Sequence, residues 1–87
     1  MKTISSVLKT IAEDNRLRII CLLGKKELCV CELTATLGLS HNLILHHLKA
    51  LAASSLIEKR EEGRFSFYRL NLKSFSRFKK QFMKLIG

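Results

Sequence analysis

Leu37-Gly38-Leu39-Ser40 interrupts two stretches of helical spacing, and its reading decides the fold. Gly38 tolerates the positive φ that a tight turn between helices needs. Ser40 can cap the helix that follows, which the pattern places over residues 41–53. On that helix Ile44, Leu48 and Leu51 share one side and are expected to face the core. Asn42, His46, Lys49 and Ala53 fall on the other side, with Leu45 flanking them. A helix that only fills a core does not need that polar side; a helix that reads DNA does. Before the turn, Leu33 and Leu37 belong to a short supporting helix that begins near Cys29 and stops at Gly38.

Working outward, Ile4, Val7, Leu8 and Ile11 follow helical spacing, with Thr3 as a cap. Asp14 can cap a second helix that carries Leu17, Ile20, Cys21 and Leu23 and ends at Gly24. Cys21, set among Ile19, Ile20, Leu22 and Leu23, is expected to be a small buried hydrophobe. Lys25-Lys26 reads as the connection to the supporting helix. Downstream, two β-rich runs between Leu56 and Leu70 flank Glu62-Gly63, which predicts a hairpin with Arg64 at its tip. From Lys73 to Gly87, Phe75, Phe78, Phe82 and Leu85 form one stripe and Arg77, Lys80 and Lys84 another. That is an amphipathic helix whose aromatic stripe needs a partner surface. The expected fold is mainly α with a small β-hairpin, in the order α-α-α-α-β-β-α: a winged helix-turn-helix occupying residues 1–87 as one domain.

Composition narrows the function. The chain has 87 residues and a formal net charge of +9, and after Gly63 there are seven Lys or Arg and no Asp or Glu. Such a bias attracts polyanions, either nucleic acid or an acidic membrane surface. No apolar run approaches the ~18 residues of a membrane span, and Met1-Lys2-Thr3-Ile4-Ser5-Ser6 lacks the apolar core of a signal peptide. A cytoplasmic protein is therefore expected. Three cysteines, an odd number, argue against a disulfide framework. There is no Ser/His/Asp set with a believable pocket and no phosphate-cradling glycine loop, so an enzyme is not expected.

One string carries further chemistry. Glu27-Leu28-Cys29-Val30-Cys31-Glu32-Leu33 places two thiols just before the helix-turn-helix. Thiolates are ligands for soft metals and metalloids. A spacing of two separates side chains by about 200° on a helix and sends them to opposite faces of a strand. Holding one ion with both sulfurs is therefore expected to distort the first turn of the supporting helix and strain the DNA-reading helix behind it. Two soft sulfurs without a carboxylate-imidazole set point to trivalent arsenic or antimony; zinc usually takes four ligands. The third donor is solvent, a small thiol or Thr34. A blander alternative packs one cysteine in the core and leaves the other as a surface thiol, and a third reading makes the pair redox-responsive.

These pieces together resemble the ArsR/SmtB family of winged-helix regulators. The resemblance runs from Leu8 to Leu72 and rests on Asp14-Asn15-Arg16-Leu17-Arg18-Ile19, the thiol string, Leu39-Ser40 with His47-Leu48-Lys49-Ala50-Leu51, and Glu62-Gly63-Arg64 with Tyr68-Arg69-Leu70. It implies a homodimer paired through its first and last helices, here Ile4, Val7, Leu8, Ile11, Phe75, Phe78, Phe82 and Leu85. It also implies a repressor that sits on an operator in double-stranded DNA and leaves when an ion binds. The thiol string resembles the arsenic- and antimony-sensing branch, with Cys29 and Cys31 as ligands and no obligatory cofactor. Thr34 stands where that branch often has a third cysteine, and Leu45 where the family often has serine. The last helix lacks the His, Asp, Glu or Cys that zinc- and nickel-responsive relatives use there.

The candidate operator contacts are Ser40, His41, Asn42, Leu45, His46 and Lys49 on the reading helix and Lys59, Arg60 and Arg64 in the wing. Asn42 suits an adenine edge, Leu45 a thymine methyl and Lys49 a phosphate. His47, nearer the core edge, reads as a structural histidine. The leading expectation is a repressor released by a thiophilic ion; the alternatives are a winged-helix regulator with redox-responsive or silent thiols, and a basic protein docked on acidic membrane.

Overall fold

The structure is a computed structural model in which residues 3–87 are described. The element order is α1 (Ile4–Ile11), α2 (Asp14–Leu23), β1 (Leu28–Cys29), α3 (Val30–Leu37), α4 (His41–Ala53), β2 (Ile57–Glu62), β3 (Phe65–Leu70) and α5 (Leu72–Ile86). Local chemistry sets most of the boundaries. Thr3 caps α1 by accepting the Ser6 N–H at 3.1 Å. The expected cap of α2, Asp14, is corrected: Glu13 is the cap. The longer Glu13 side chain accepts from both the Asn15 and Arg16 N–H groups, at 3.2 and 3.1 Å. Asp14 becomes the first helical residue, where its charge favours the positive end of the helix dipole. Gly38 ends α3 in the left-handed region at φ 67°, and its N–H bonds the Thr34 carbonyl at 2.9 Å. Ser40 then caps α4 through the Leu43 N–H at 3.2 Å.

α4 organises the core. Ile44, Leu48 and Leu51 are fully buried on its inner side, together with Ile19 of α2, Leu33 of α3 and Leu56 beyond α4. Burying one such side chain stabilises by about 1.5–3 kcal/mol. On α2 the buried positions are Ile19 and Leu23, one turn apart. Cys21 lies about 200° round the helix from each and is exposed, not buried as expected. Its apolar neighbours in sequence are not its neighbours in space.

The sheet has three strands, not the two of the expected hairpin. The order is β1-β3-β2, with both pairs antiparallel. The wing itself is as predicted: Glu62 pairs with Phe65 across a turn in which Gly63 takes φ 59°. The addition is β1, whose Leu28 and Cys29 pair with Tyr68 and Phe67. This ladder ties the wing to the entrance of α3. On α5, Phe75 and Phe78 pack against the core, and Phe82 stacks on Phe78 with ring centroids 6.0 Å apart. Further along, Met83, Leu85 and Ile86 are exposed.

Candidate thiol site and nucleic-acid interface

Cys29 ends a strand and Val30 begins a helix, and this change of backbone brings the sulfurs together. Cys29 is extended, with φ −85° and ψ 165°, while Cys31 lies in the first turn of α3. Their Cα atoms are 5.3 Å apart and the two Sγ atoms are joined in a disulfide. Two expectations are thereby corrected. A disulfide is present, although the odd cysteine count argued against one. The sulfurs also converge without any unwinding of α3, because the pair straddles a strand-to-helix junction and obeys neither regular period.

Cys29 and Glu32 form a reciprocal cap. The Cys29 sulfur accepts the Glu32 N–H at 3.3 Å, and the Glu32 carboxylate accepts the Cys29 N–H at 3.1 Å. Cys-Val-Cys-Glu therefore has the form of a capping box with sulfur in the place of a hydroxyl. The sequence reading missed Glu32 in that role, although its spacing of three from Cys29 was the available signal. Thr34 donates its hydroxyl to the Val30 carbonyl at 2.8 Å, which commits that group within α3. Among the described residues, no three His, Cys, Asp or Glu come together to hold a metal ion. Once reduced, the protein offers an ion two sulfurs, a set that suits a three-coordinate thiophilic ion with an outside third donor.

The sulfurs border a cavity of about 270 Å³ between the reading helix and the wing. His41 and Leu45 line it from α4, and Lys59, Arg64, Phe65, Ser66 and Tyr68 from the wing. The cavity thus brings four of the expected DNA contacts together with the thiol pair. His46, Lys49, His41 and Asn42 are exposed along α4, and Leu45 is half-buried. Ser40, also exposed, spends its hydroxyl oxygen on the helix cap.

Lys59 and Arg60 behave differently, as neighbours on a strand must. Lys59 borders the cavity and contacts Glu61 at 3.1 Å, which favours its charged form. Arg60 lies 4.8 Å over the Phe67 ring. Its guanidinium also reaches Glu27 and Glu62, each at 2.6 Å. Hydrogen bonding to Arg60 in turn holds Glu27 below the usual carboxylate range, against the opposing effect of burial. The clamp joins β2 to the segment entering β1. The sequence reading missed Glu27, since nothing in its spacing points to a residue 33 positions away.

His47 is structural, as read from sequence. It is 6% exposed, and its Nδ1 accepts the Arg16 Nε–H at 3.1 Å. Arg16 also donates to the Thr10 carbonyl at 3.2 Å, so one side chain links α1, α2 and α4. Glu13 approaches the same His47 nitrogen at 3.6 Å. Because that nitrogen accepts from Arg16 it carries no proton, and the contact is not an ion pair. Burial pushes the His47 pKa down, with Arg16 and His46 adding to the effect and Glu13 opposing it.

The expected dimer residues divide into two groups. Val7 is buried within its own chain, and Ile11, Phe75 and Phe78 pack on the core. Ile4 and Phe82 are half-buried, while Leu8 and Leu85 are exposed, Leu85 to 71%. No helix among the described residues is long and apolar enough to cross a membrane.

Known proteins resemble this chain in sequence and fold. The family described as "Bacterial regulatory protein, arsR family" matches residues 13–59. The arsenical resistance operon repressor of Staphylococcus aureus is 36% identical over 70 residues, covering 80% of this chain and 67% of that protein. An arsenic resistance transcriptional regulator of Pseudomonas putida is 41% identical over 66 residues, covering 75% of this chain and 52% of its own length. The solved structure of a possible transcriptional regulator for arsenical resistance superposes with a TM-score of 0.81 at 32% identity, covering 90% of this chain and 81% of that one. The chain therefore matches roughly half to two thirds of the length of these two curated relatives.

Proposed function

The chain belongs to the arsR family of bacterial regulatory proteins, and from that premise we propose that it is a winged-helix transcriptional repressor released from its operator by trivalent arsenic or antimony held at Cys29 and Cys31. In this reading it works in the cytoplasm as a homodimer on double-stranded DNA. α4 lies in the major groove, with His41, Asn42, Leu45 and His46 at base edges and Ser40 and Lys49 at the backbone. Lys59 and Arg64 reach phosphate beside it. Arg60, clamped by Glu27 and Glu62, orients the wing instead.

The observation that carries the proposal is the shared cavity: the sulfur pair, His41 and Leu45 of the reading helix, and Lys59 and Arg64 of the wing border one space. Cys29 is also a rung of the sheet, opposite Phe67, and the cap of α3. A displacement of Cys29 is therefore felt in the wing through the ladder and in the helix-turn-helix through the cap. This route replaces the unwinding of α3 that the sequence suggested. A bound metalloid supplies affinity for soft sulfur. The protein contributes the two thiolates, available only once the disulfide is opened, and leaves the third position to solvent or a small thiol.

Ultraviolet absorption tests the binding step. Arsenite added to the reduced protein is expected to raise a sulfur-to-arsenic band that is lost in Cys29→Ser and in Cys31→Ser. A flat spectrum in the unmodified protein contradicts the proposal.

The disulfide itself favours a second reading. In a cytoplasmic protein such bonds are usually transient and either catalytic or redox-sensing. Operator affinity would then differ between the oxidised and reduced proteins with no ion present, and equal affinities would rule this reading out.

A further inference from the structure

The two cysteines of the disulfide differ in exposure. Cys29 is 5% exposed, whereas Cys31 is exposed. Both cysteines border the cavity that the basic residues Lys59 and Arg64 and His41 also line. Lys59 shares its charge with Glu61, but none of the ion pairs among the described residues involves Arg64. The nearest carboxylate on α3, Glu32, is turned onto the Cys29 N–H.

We propose that Cys31 is a site of S-thiolation by anionic low-molecular-weight thiols, which enter this basic cavity and open the Cys29–Cys31 bond by attack at Cys31. The thiolate lone pair of the incoming molecule forms a new sulfur–sulfur bond to Cys31 Sγ. The electron pair of the old bond departs onto Cys29 Sγ. The incoming sulfur is oxidised to the disulfide level, Cys29 is reduced to the thiolate, and no other oxidant or reductant takes part. A second thiolate attacking the incoming group's sulfur would free Cys31 and complete the reduction.

Three features set the direction. Attack favours the more accessible residue of the pair, which is Cys31. The charge that develops on the departing sulfur meets the Glu32 N–H, already 3.3 Å from Cys29 Sγ at the start of α3. Arg64 and Lys59 raise the local concentration of an anionic attacker. The inference rests on the bond and the cavity, and it stands whether or not a metalloid or the redox state controls DNA binding.

The test uses the oxidised full chain with 3-mercaptopropionate, which is anionic, and cysteamine, which is cationic. Each rate is taken per thiolate and divided by that of the same thiol on a neutral small disulfide, 2-hydroxyethyl disulfide, which removes their intrinsic difference in nucleophilicity. The reaction is quenched early with a maleimide in denaturant, so that the buried Cys29 is labelled, and the modified peptides are mapped by mass spectrometry. The expected result is the small thiol on Cys31 and the maleimide on Cys29, with the anionic thiol faster by about tenfold at low salt and the advantage shrinking as salt rises. The double variant Lys59→Ala/Arg64→Ala, both sites being exposed, is expected to fold normally by circular dichroism and to lose the preference. The reverse labelling, equal rates for the two thiols, or a preference that survives in the double variant would each overturn the proposal. An operator that binds oxidised and reduced protein alike would instead defeat the redox reading and leave this result intact.

Discussion

His47 stands inside the reading helix with its Nδ1 turned to Arg16, and its neighbours explain why a histidine suits that position. It accepts one hydrogen bond in a buried setting and stays neutral. Arg16→Ala removes the donor and leaves Nδ1 unsatisfied, so a loss of about 1–3 kcal/mol is expected in denaturant unfolding. The same residue sets a pH dependence. The unfolded chain takes up this proton near the ordinary value of 6.5, while the folded protein resists it. The His47 contribution is therefore steady above pH 6.5 and declines as pH falls from there toward the depressed folded value, below which it is flat. Thermal unfolding of the wild type against His47→Gln measures it: the slope in that window is expected to be shallower in the variant, and an unchanged slope would assign it elsewhere. The contrast between Lys59 and Arg60 is another residue-scale effect. Two adjacent cations looked equivalent in sequence, and the strand period sends one toward the cavity and the other onto Phe67 and Glu27.

At the scale of elements, the start of α3 matters most. Glu32 closes the cap at Cys29, so Glu32→Ala is expected to cost about 1 kcal/mol of stability, whereas Glu32→Gln preserves the hydrogen bond and most of the stability. Equal losses in both variants would point to the charge and not to the cap. α4 and the wing were legible because each has a sustained pattern: a helical stripe at Ile44, Leu48 and Leu51, and two β-rich runs about a glycine turn. β1 was not legible. Two residues cannot display an alternation, and their partners lie at Phe67 and Tyr68, far along the chain. The thiol geometry failed for a related reason. A spacing of two predicts divergence only where the backbone is regular, and the change from extended to helical between Cys29 and Val30 leaves no mark in the spacing. The reading of α2 erred by counting apolar neighbours, which hid that Cys21 faces away from Ile19 and Leu23.

For the whole molecule, net charge and exposed apolar surface each carry a prediction. The net charge of +9 predicts DNA affinity that falls steeply with salt, as counterions are released from the phosphates. The exposed Leu85 and Ile86 at the end of α5 and Leu8 on α1 suit a second copy of the chain. In sedimentation, Leu85→Asp with Ile86→Asp is expected to shift a dimer to a monomer while the helical content is retained; an unchanged mass would move the interface elsewhere. The thiol pair lies in a different part of the fold, at the junction of β1 and α3, where the sheet meets the helix-turn-helix. In the proposed reading, chemistry at these two sulfurs sets the grip of the reading helix and wing on DNA. Fluorescence anisotropy of a labelled palindromic duplex selected for binding, titrated with reduced protein with and without arsenite, tests it most directly. A loss of affinity of about 5–150-fold with arsenite, absent in Cys29→Ser/Cys31→Ser, is the predicted result; unchanged affinity in the wild type, or the same loss in the double variant, would contradict it.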